Sequence, residues 1–186
     1  MKSNSCKMDR LEKDFLGERK LPDSAYYGIQ TLRAIENFHI TGMATGKEPL
    51  MIQSFGYVKK AAAMANLECG VISPEVARAV IFGSEQLIEG KYTDQFVTDM
   101  IQGGAGTSCN MNANEVIANI GLEFLGKKKG EYQFLHPNNH VNCSQSTNDA
   151  YPTAFRIALY RKLEVFIDAM EVVQQSFAAK GIEFAE

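Results

Sequence analysis

The sequence predicts a mainly α fold, and three observations carry that expectation. Apolar residues recur at helical spacing, Gly70, Gly90 and Gly126 close three of those runs, and a last helical pattern continues for about 35 residues, beyond ordinary globular lengths. In chain order, Glu48-Pro49 opens the first run, whose residues Ile52, Phe55, Gly56, Val58, Ala62, Ala63 and Leu67 share a face, with Gly70 as the stop. Ser73-Pro74-Glu75 reads as N-cap, first helical residue and acidic first turn. The stripe Val76, Ala77, Val80, Ile81, Leu87 and Ile88 follows and Gly90 ends it. The two runs predict an antiparallel helical hairpin. A third helix is expected over 110–125, with Ala113, Ala118 and Gly121 small enough to admit a neighbouring backbone. One short strand pair is expected near 40–47 or 91–97, and 127–141 reads as irregular. From Asn148 towards Ala185 the long pattern is interrupted only by Gly181. Nothing follows to cover its apolar side, which predicts a truncated chain or one that needs a partner.

Composition points to a small-molecule protein. A formal charge of −3 over 186 residues leaves no basic field for a nucleic-acid backbone, and Lys127-Lys128-Lys129 is the longest basic block. The N-terminal Met1-Lys2-Ser3-Asn4-Ser5-Cys6 has no apolar leader, and no apolar stretch approaches the ~18 residues of a membrane span. A cytoplasmic protein with no nucleic-acid or membrane partner is expected. Cys6, Cys69, Cys109 and Cys143 lack paired spacing, so reduced thiols are the reading.

Two polar loops carry the chemistry. Gln102-Gly103-Gly104-Ala105-Gly106-Thr107-Ser108 and Ser144-Gln145-Ser146-Thr147-Asn148-Asp149 each run into a predicted helix. Glycine lets backbone N–H groups approach a ligand closely, and a helix start adds unsatisfied N–H groups and a partial positive charge. Two such loops without Lys or Arg suit a small ligand with more than one carboxylate, held and then released.

Several ordered motifs resemble the fumarase/aspartase superfamily. They are Gly104-Ala105-Gly106-Thr107-Ser108, then Asn110-Met111-Asn112-Ala113-Asn114-Glu115-Val116, then His136-Pro137-Asn138-Asn139-His140, then Ser144-Gln145-Ser146-Thr147-Asn148-Asp149. Asp14-Phe15-Leu16-Gly17-Glu18 and Asp23-Ser24-Ala25-Tyr26-Tyr27-Gly28 are similar to that family's opening. Ala105 and the run Asp149-Ala150-Tyr151-Pro152-Thr153-Ala154-Phe155-Arg156 look like its aspartate ammonia-lyase branch more than class II fumarase.

The resemblance implies the mainly helical N-terminal domain of that superfamily over 1–145 and the first long helix of its central helical bundle over 146–186. It implies a reversible elimination of ammonia from aspartate to fumarate, through an aci-carboxylate intermediate and with no organic cofactor. By carry-over, Thr107, Ser146, Thr147 and Asn148 bind the substrate, while His136, Asn138 and Asn139 correspond to a second carboxylate site. Asn139 stands where related fumarases carry Asp, which removes a charge. The family's general base is a serine on a GSSxMPxKxNP-like loop, a motif this sequence does not contain. Family active sites also draw on three subunits of a tetramer. The implied catalytic residues are therefore none in this chain, which is expected to be inactive alone and to form a homo-oligomer.

Simpler roles compete at each position. Ser146, Thr147, Asn148 and Asp149 are all N-cap residue types, and the first loop alone reads equally as a tight turn. His136 and His140 sit four apart, but Pro137 argues against a regular helix and no third ligand completes a metal set. Arg33 is expected to pair with a carboxylate of the protein, and Cys109 and Cys143 to pack. A fragment of a fumarase-like hydratase and a catalytically silent helical interaction module remain the alternatives.

Overall fold

A computed structural model describes residues 9–185. Cys6 lies outside the described residues. The chain opens with a hairpin of β1 (Asp9–Asp14) and β2 (Gly17–Pro22), antiparallel in the register Asp9↔Pro22 to Asp14↔Gly17. Helix α1 (Ile29–Asn37) follows, then α2 (Pro49–Glu68), α3 (Pro74–Ile88), α4 (Thr107–Phe124) and α5 (Thr147–Glu183).

The helix ends obey their local chemistry. The Ser73 hydroxyl accepts from Val76 N–H at 3.3 Å to cap α3. Gly70, Gly90 and Gly126, each just past a helix, have φ of 69°, 80° and 70°, the left-handed turn that ends a helix cheaply only with glycine. α2 and α3 form the expected hairpin.

α4 is the centre of the fold, with every residue from 109 to 122 buried. Its small residues allow this. A Cβ on Gly121 would stand 3.0 Å from the Ala79 carbonyl oxygen of α3, and one on Gly83 2.8 Å from that of Ile117. The backbones of α3 and α4 meet closely enough to exclude any side chain there. α4 also buries Asn112, Glu115 and Asn119, which a helix buried on all sides tolerates only when each finds partners. They find them in the surrounding loops. Asn112 Oδ1 accepts from Val97 N–H and its amide donates to the Gln95 carbonyl, while Asn119 binds the Tyr26 carbonyl and Gly130 N–H. Glu115 accepts from the N–H groups of Gly28, Gln30 and Thr31 at 2.8, 2.9 and 3.1 Å, and so carries the start of α1.

Four expectations need correction. The strand pair is the N-terminal hairpin, while 40–47 and 91–97 hold 3-10 turns at Thr45–Lys47 and Thr93–Gln95 and one isolated bridge, Ala44↔Asp99. Asp99 explains this, because its carboxylate accepts from the N–H groups of Ile40, Thr41 and Gly42 that a ladder would need. α4 starts at Thr107, three residues before the expected 110. Helix α1 was not anticipated. Gly181 does not break α5, which runs for 37 residues, about 55 Å at the standard rise.

Arg161 still donates to Gln53 Oε1 and Lys162 to Glu48 Oε2, both at 2.7 Å, and beyond Lys162 α5 leaves the rest of the fold. Leu159, Leu163, Phe166, Met170, Val173 and Phe177 are all about half exposed or more, and their alternating four- and three-residue spacing is that of a coiled-coil seam.

Candidate functional site

The two polar loops meet at the starts of α4 and α5. The first is tied at both ends by Gln102. Its amide donates to the Asp99 carbonyl at 3.3 Å, and its Oε1 accepts from Cys109 N–H at 2.6 Å. Asp99 in turn anchors the approach. Burial would raise its pKa, but hydrogen bonds from Ile101, Thr41 and Gly42 hold it well below the usual carboxylate range. Gly104 and Gly106 have φ of 73° and 83°, and Gly106, the N-cap of α4, offers no side chain, so that Gln102 takes the N–H of the third helical residue only. The N–H groups of Thr107 and Ser108 accordingly have no partner among the described residues. A helix start of this kind presents donors and a partial positive charge to an anion.

The second loop is capped by its own residues. Ser146 Oγ accepts from Asn148 N–H at 3.1 Å, and Asp149 Oδ2 accepts from Ser146 N–H at 3.3 Å, a capping box. Ser146 is thus the N-cap that its residue type allows, and its hydroxyl proton remains to be donated. Thr147 Oγ1 accepts from Asn110 Nδ2 at 3.0 Å, so a side chain from α4 holds the first residue of α5. Pro152 lies in the second turn of α5. It has no N–H for the carbonyl of Asn148 four residues back, which loses its regular helical donor.

These elements border an open cavity of about 420 Å³ lined by Gln102, Gly104, Gly106, Asn148, Tyr151 and Pro152, among others, with no Lys or Arg. Of the four expected binding residues Asn148 lines it, while Thr107 follows the lining residue Gly106 in the chain and Ser146 and Thr147 precede Asn148. The structure therefore brings the first loop and the Ser146–Asn148 group together.

His136, Asn138 and Asn139 do not join them. They line a separate cavity of about 570 Å³ with Lys13, Glu115 and Tyr132. His136 Nδ1 accepts from the N–H groups of Asn138 and Asn139 at 3.0 and 3.2 Å, and His140 Nδ1 accepts from His136 N–H at 2.9 Å. Burial lowers the pKa of both imidazoles, with His140 adding to the effect on His136. His136 is the N-cap of the π-helical turn Pro137–Val141, and His140 lies within that turn. No three His, Cys, Asp or Glu side chains among the described residues are grouped to hold a metal ion.

Arg33 pairs with Asp14 through Nε and Nη2 at 2.6 and 2.7 Å, as a lone Arg was expected to do. Cys109 packs in the core, where burial pushes its thiol up to about 12, and Cys143 packs at the core's edge.

Lys59 is the residue that sequence reasoning missed. It is 0% exposed on α2 and donates to Asn142 Oδ1 and Gln145 Oε1, both at 2.9 Å. A signal existed: Lys59 falls four residues from both Phe55 and Ala63, within the apolar stripe. Burial pushes its pKa down to about 7, against a smaller opposing pull from Asp149.

Fold and loops together define a class. Residues 17–186 match the family described as lyase, and the chain belongs to that family, within the fumarase/aspartase superfamily that its motifs resemble. The aspartate ammonia-lyase of Helicobacter pylori strain J99 is 55% identical over 176 residues, which cover 95% of this chain and 38% of that protein. That of Escherichia coli strain K12 is 53% identical over 178 residues, covering 95% and 37%. The fumarate lyase/delta crystallin structure from Brucella melitensis superposes with a TM-score of 0.93 at 49% identity, covering 96% of this chain and 41% of that one in its native form. The class II fumarase of Schistosoma mansoni gives 0.75 at 34% identity, covering 81% and 32%. The chain thus spans under two-fifths of the length of the curated relatives it matches. Among the described residues no helix is long and apolar enough to cross a membrane.

Proposed function

We propose that the complete protein is an aspartate ammonia-lyase that eliminates ammonia reversibly from L-aspartate to give fumarate. The observation that carries this reading is the meeting of two helix starts, rich in hydroxyls and free of Lys and Arg, at one cavity. Removing a proton beside a carboxylate builds an aci-carboxylate with extra negative charge. Donors already in place around that group stabilise it more than the ground state, which accelerates the step.

Thr107 with the uncapped N–H groups of α4, and the hydroxyls of Ser146 and Thr147, serve as those donors. Asn148 contributes its amide, and its carbonyl, deprived of a helical donor by Pro152, suits the substrate's ammonium group. None of these residues moves a proton. The general base belongs to the serine loop whose motif this sequence lacks, so the chain alone is inactive. His136, Asn138 and Asn139 form a second carboxylate site only weakly on this reading, because His136 Nδ1 is occupied and Glu115 lines the same cavity.

The domain boundary falls between 145 and 146, the long helix from 146 onward packs in a homotetramer of the complete protein, and the protein is cytoplasmic. The seam on α5 supports association, since an unpartnered apolar stripe of that length favours burial.

The experiment is fumarate absorbance from L-aspartate, run on this chain and on the complete protein, with L-malate in parallel. Activity on aspartate in the complete protein alone is the expected result. Activity on malate instead would establish the hydratase, and activity in the short chain would overturn the assignment of the base.

A further inference from the structure

Lys59 and Asn66 lie seven residues apart on α2, two turns along one face. Both reach the segment that precedes α5. Lys59 Nζ donates to Asn142 Oδ1 and Gln145 Oε1, each at 2.9 Å, and Asn66 Nδ2 donates to the Cys143 carbonyl at 2.9 Å. Between those attachment points stands Ser144, with φ of 59°. A serine in that left-handed region persists only when its surroundings over-determine it.

The same atoms continue to α4. Asn142 Oδ1, which accepts from Lys59, also accepts from Asn110 Nδ2 at 3.1 Å and Asn114 Nδ2 at 3.2 Å, and Asn110 Nδ2 reaches Thr147 Oγ1. Gln145, held by Lys59 through its carbonyl end, donates its amide protons to the carbonyls of Val141 and Cys143 at 2.9 and 3.1 Å. Lys59 thereby stands where α2, the segment 142–145 and the first turn of α4 converge.

We propose that Lys59 is a positioning residue, which fixes the segment 142–149 against α4 and so sets the places of Ser146, Thr147 and Asn148. Its kinetic consequence rests on the lyase reading; its structural consequence does not. Burial makes a lysine an expensive choice for simple packing, since removing an ammonium group from water costs several kcal/mol. Its lowered pKa agrees with a group that needs only two N–H donors, as both acceptors found for it are satisfied by the neutral amine.

The test combines hydrogen–deuterium exchange and steady-state kinetics on the complete protein carrying Lys59→Met. Exchange over 142–149 should accelerate about tenfold or more, the size of two lost neutral hydrogen bonds, while 49–58 and 74–88 exchange as in the unmodified protein. In the same variant kcat/KM for aspartate should fall by about tenfold or more without a matching fall in Tm. Acceleration spread evenly over the whole protein, or unchanged exchange over 142–149, would overturn the proposal. Where Lys59→Met does not fold, Gln145→Met removes one acceptor of the pair, and unchanged local exchange in that variant overturns it equally. If the unmodified protein turns over no aspartate, the lyase reading fails while the exchange result still decides the role of Lys59.

Discussion

Gly106 and Tyr151 join the two loops: a Cβ on Gly106 would overlap the Cγ and Cδ atoms of the Tyr151 ring. The N-cap of α4 is thus pressed against the first turns of α5, which is why the two helix starts share a cavity. Gly106 also has φ of +83°, where a side chain is strained regardless of space.

Gly106→Ala should therefore destabilise the fold by about 2–4 kcal/mol, summing ~1 for the backbone and ~1–3 for overpacking. Adding Tyr151→Ala should return less of this than the packing share, because it removes ring contacts with Phe55 and the core as well. Urea denaturation of the two single variants and the double variant measures both terms. Equal stability of Gly106→Ala and the unmodified chain would show that the loops separate easily.

Burial governs the pH dependence of stability at two groups with opposite signs. Lys59 has its pKa pushed down to about 7 from an ordinary 10.5. Between those values the unfolded chain holds a proton that the folded chain lacks, so Lys59 makes stability rise with pH across that window. Glu115 has its carboxyl pushed up to about 7 from 4.5 by burial, against the lowering by hydrogen bonds from Thr31, Gln30 and Gly28. There the folded chain binds the extra proton, so its contribution is fully present below 4.5 and lost as pH rises through about 7. Lys59→Met should flatten the rise above pH 7 by up to about 1.4 kcal/mol per pH unit, the limit for one proton. Denaturation midpoints of variant and unmodified protein at matched pH read this difference, and parallel curves would contradict it.

The legible parts of this fold are those decided locally. Ser73-Pro74 starts a helix and the glycines at 70, 90 and 126 stop helices by backbone chemistry that a few residues contain, and apart from the start of α4 these helices fall where expected. The N-terminal hairpin was not legible because Asp9–Asp14 and Gly17–Pro22 lack apolar alternation. It is held from outside, by Arg10 donating to the carbonyls of Pro22, Ala25 and Tyr27 and by Glu12 accepting from Ile29 N–H. The two polar loops were legible as segments that run into helix starts, but their meeting depends on Gly106 against Tyr151, a contact between residues 45 positions apart in the numbering. Lys59 sits within the apolar stripe of α2, but its role was not legible for a similar reason. A lysine on a helix reads as solvated until its acceptors, Asn142 and Gln145, arrive from far along the chain.

Pro152 offers a test of how the substrate's ammonium group is received. Pro152→Ala supplies an N–H to the Asn148 carbonyl and removes a helix-breaking residue, so α5 should gain stability by up to ~3 kcal/mol, the usual cost of an interior proline. The same change occupies the carbonyl assigned to the ammonium group. In the complete protein KM for aspartate should rise, while inhibition by fumarate, which has no amine, stays near its original strength. Equal weakening of both ligands would remove the carbonyl from the proposed role.

Ser146 caps α5 and is proposed to bind the substrate, two tasks that one pair of variants separates. As N-cap it accepts from Asn148 N–H, and as a ligand it is assigned a hydroxyl donor to the substrate carboxylate. Ser146→Ala loses both, and should cost about 1 kcal/mol of stability together with activity. Ser146→Asp retains a cap of equal rank, so thermal unfolding should stay close to that of the unmodified protein. It also places a fixed negative charge where the substrate carboxylate is received and removes the donor. At an effective dielectric near 20, two unit charges about 4 Å apart repel by ~4 kcal/mol, which should lower kcat/KM of the complete protein by about a thousandfold. A stable Ser146→Asp variant with unimpaired kcat/KM would mean that Ser146 caps α5 and does nothing more.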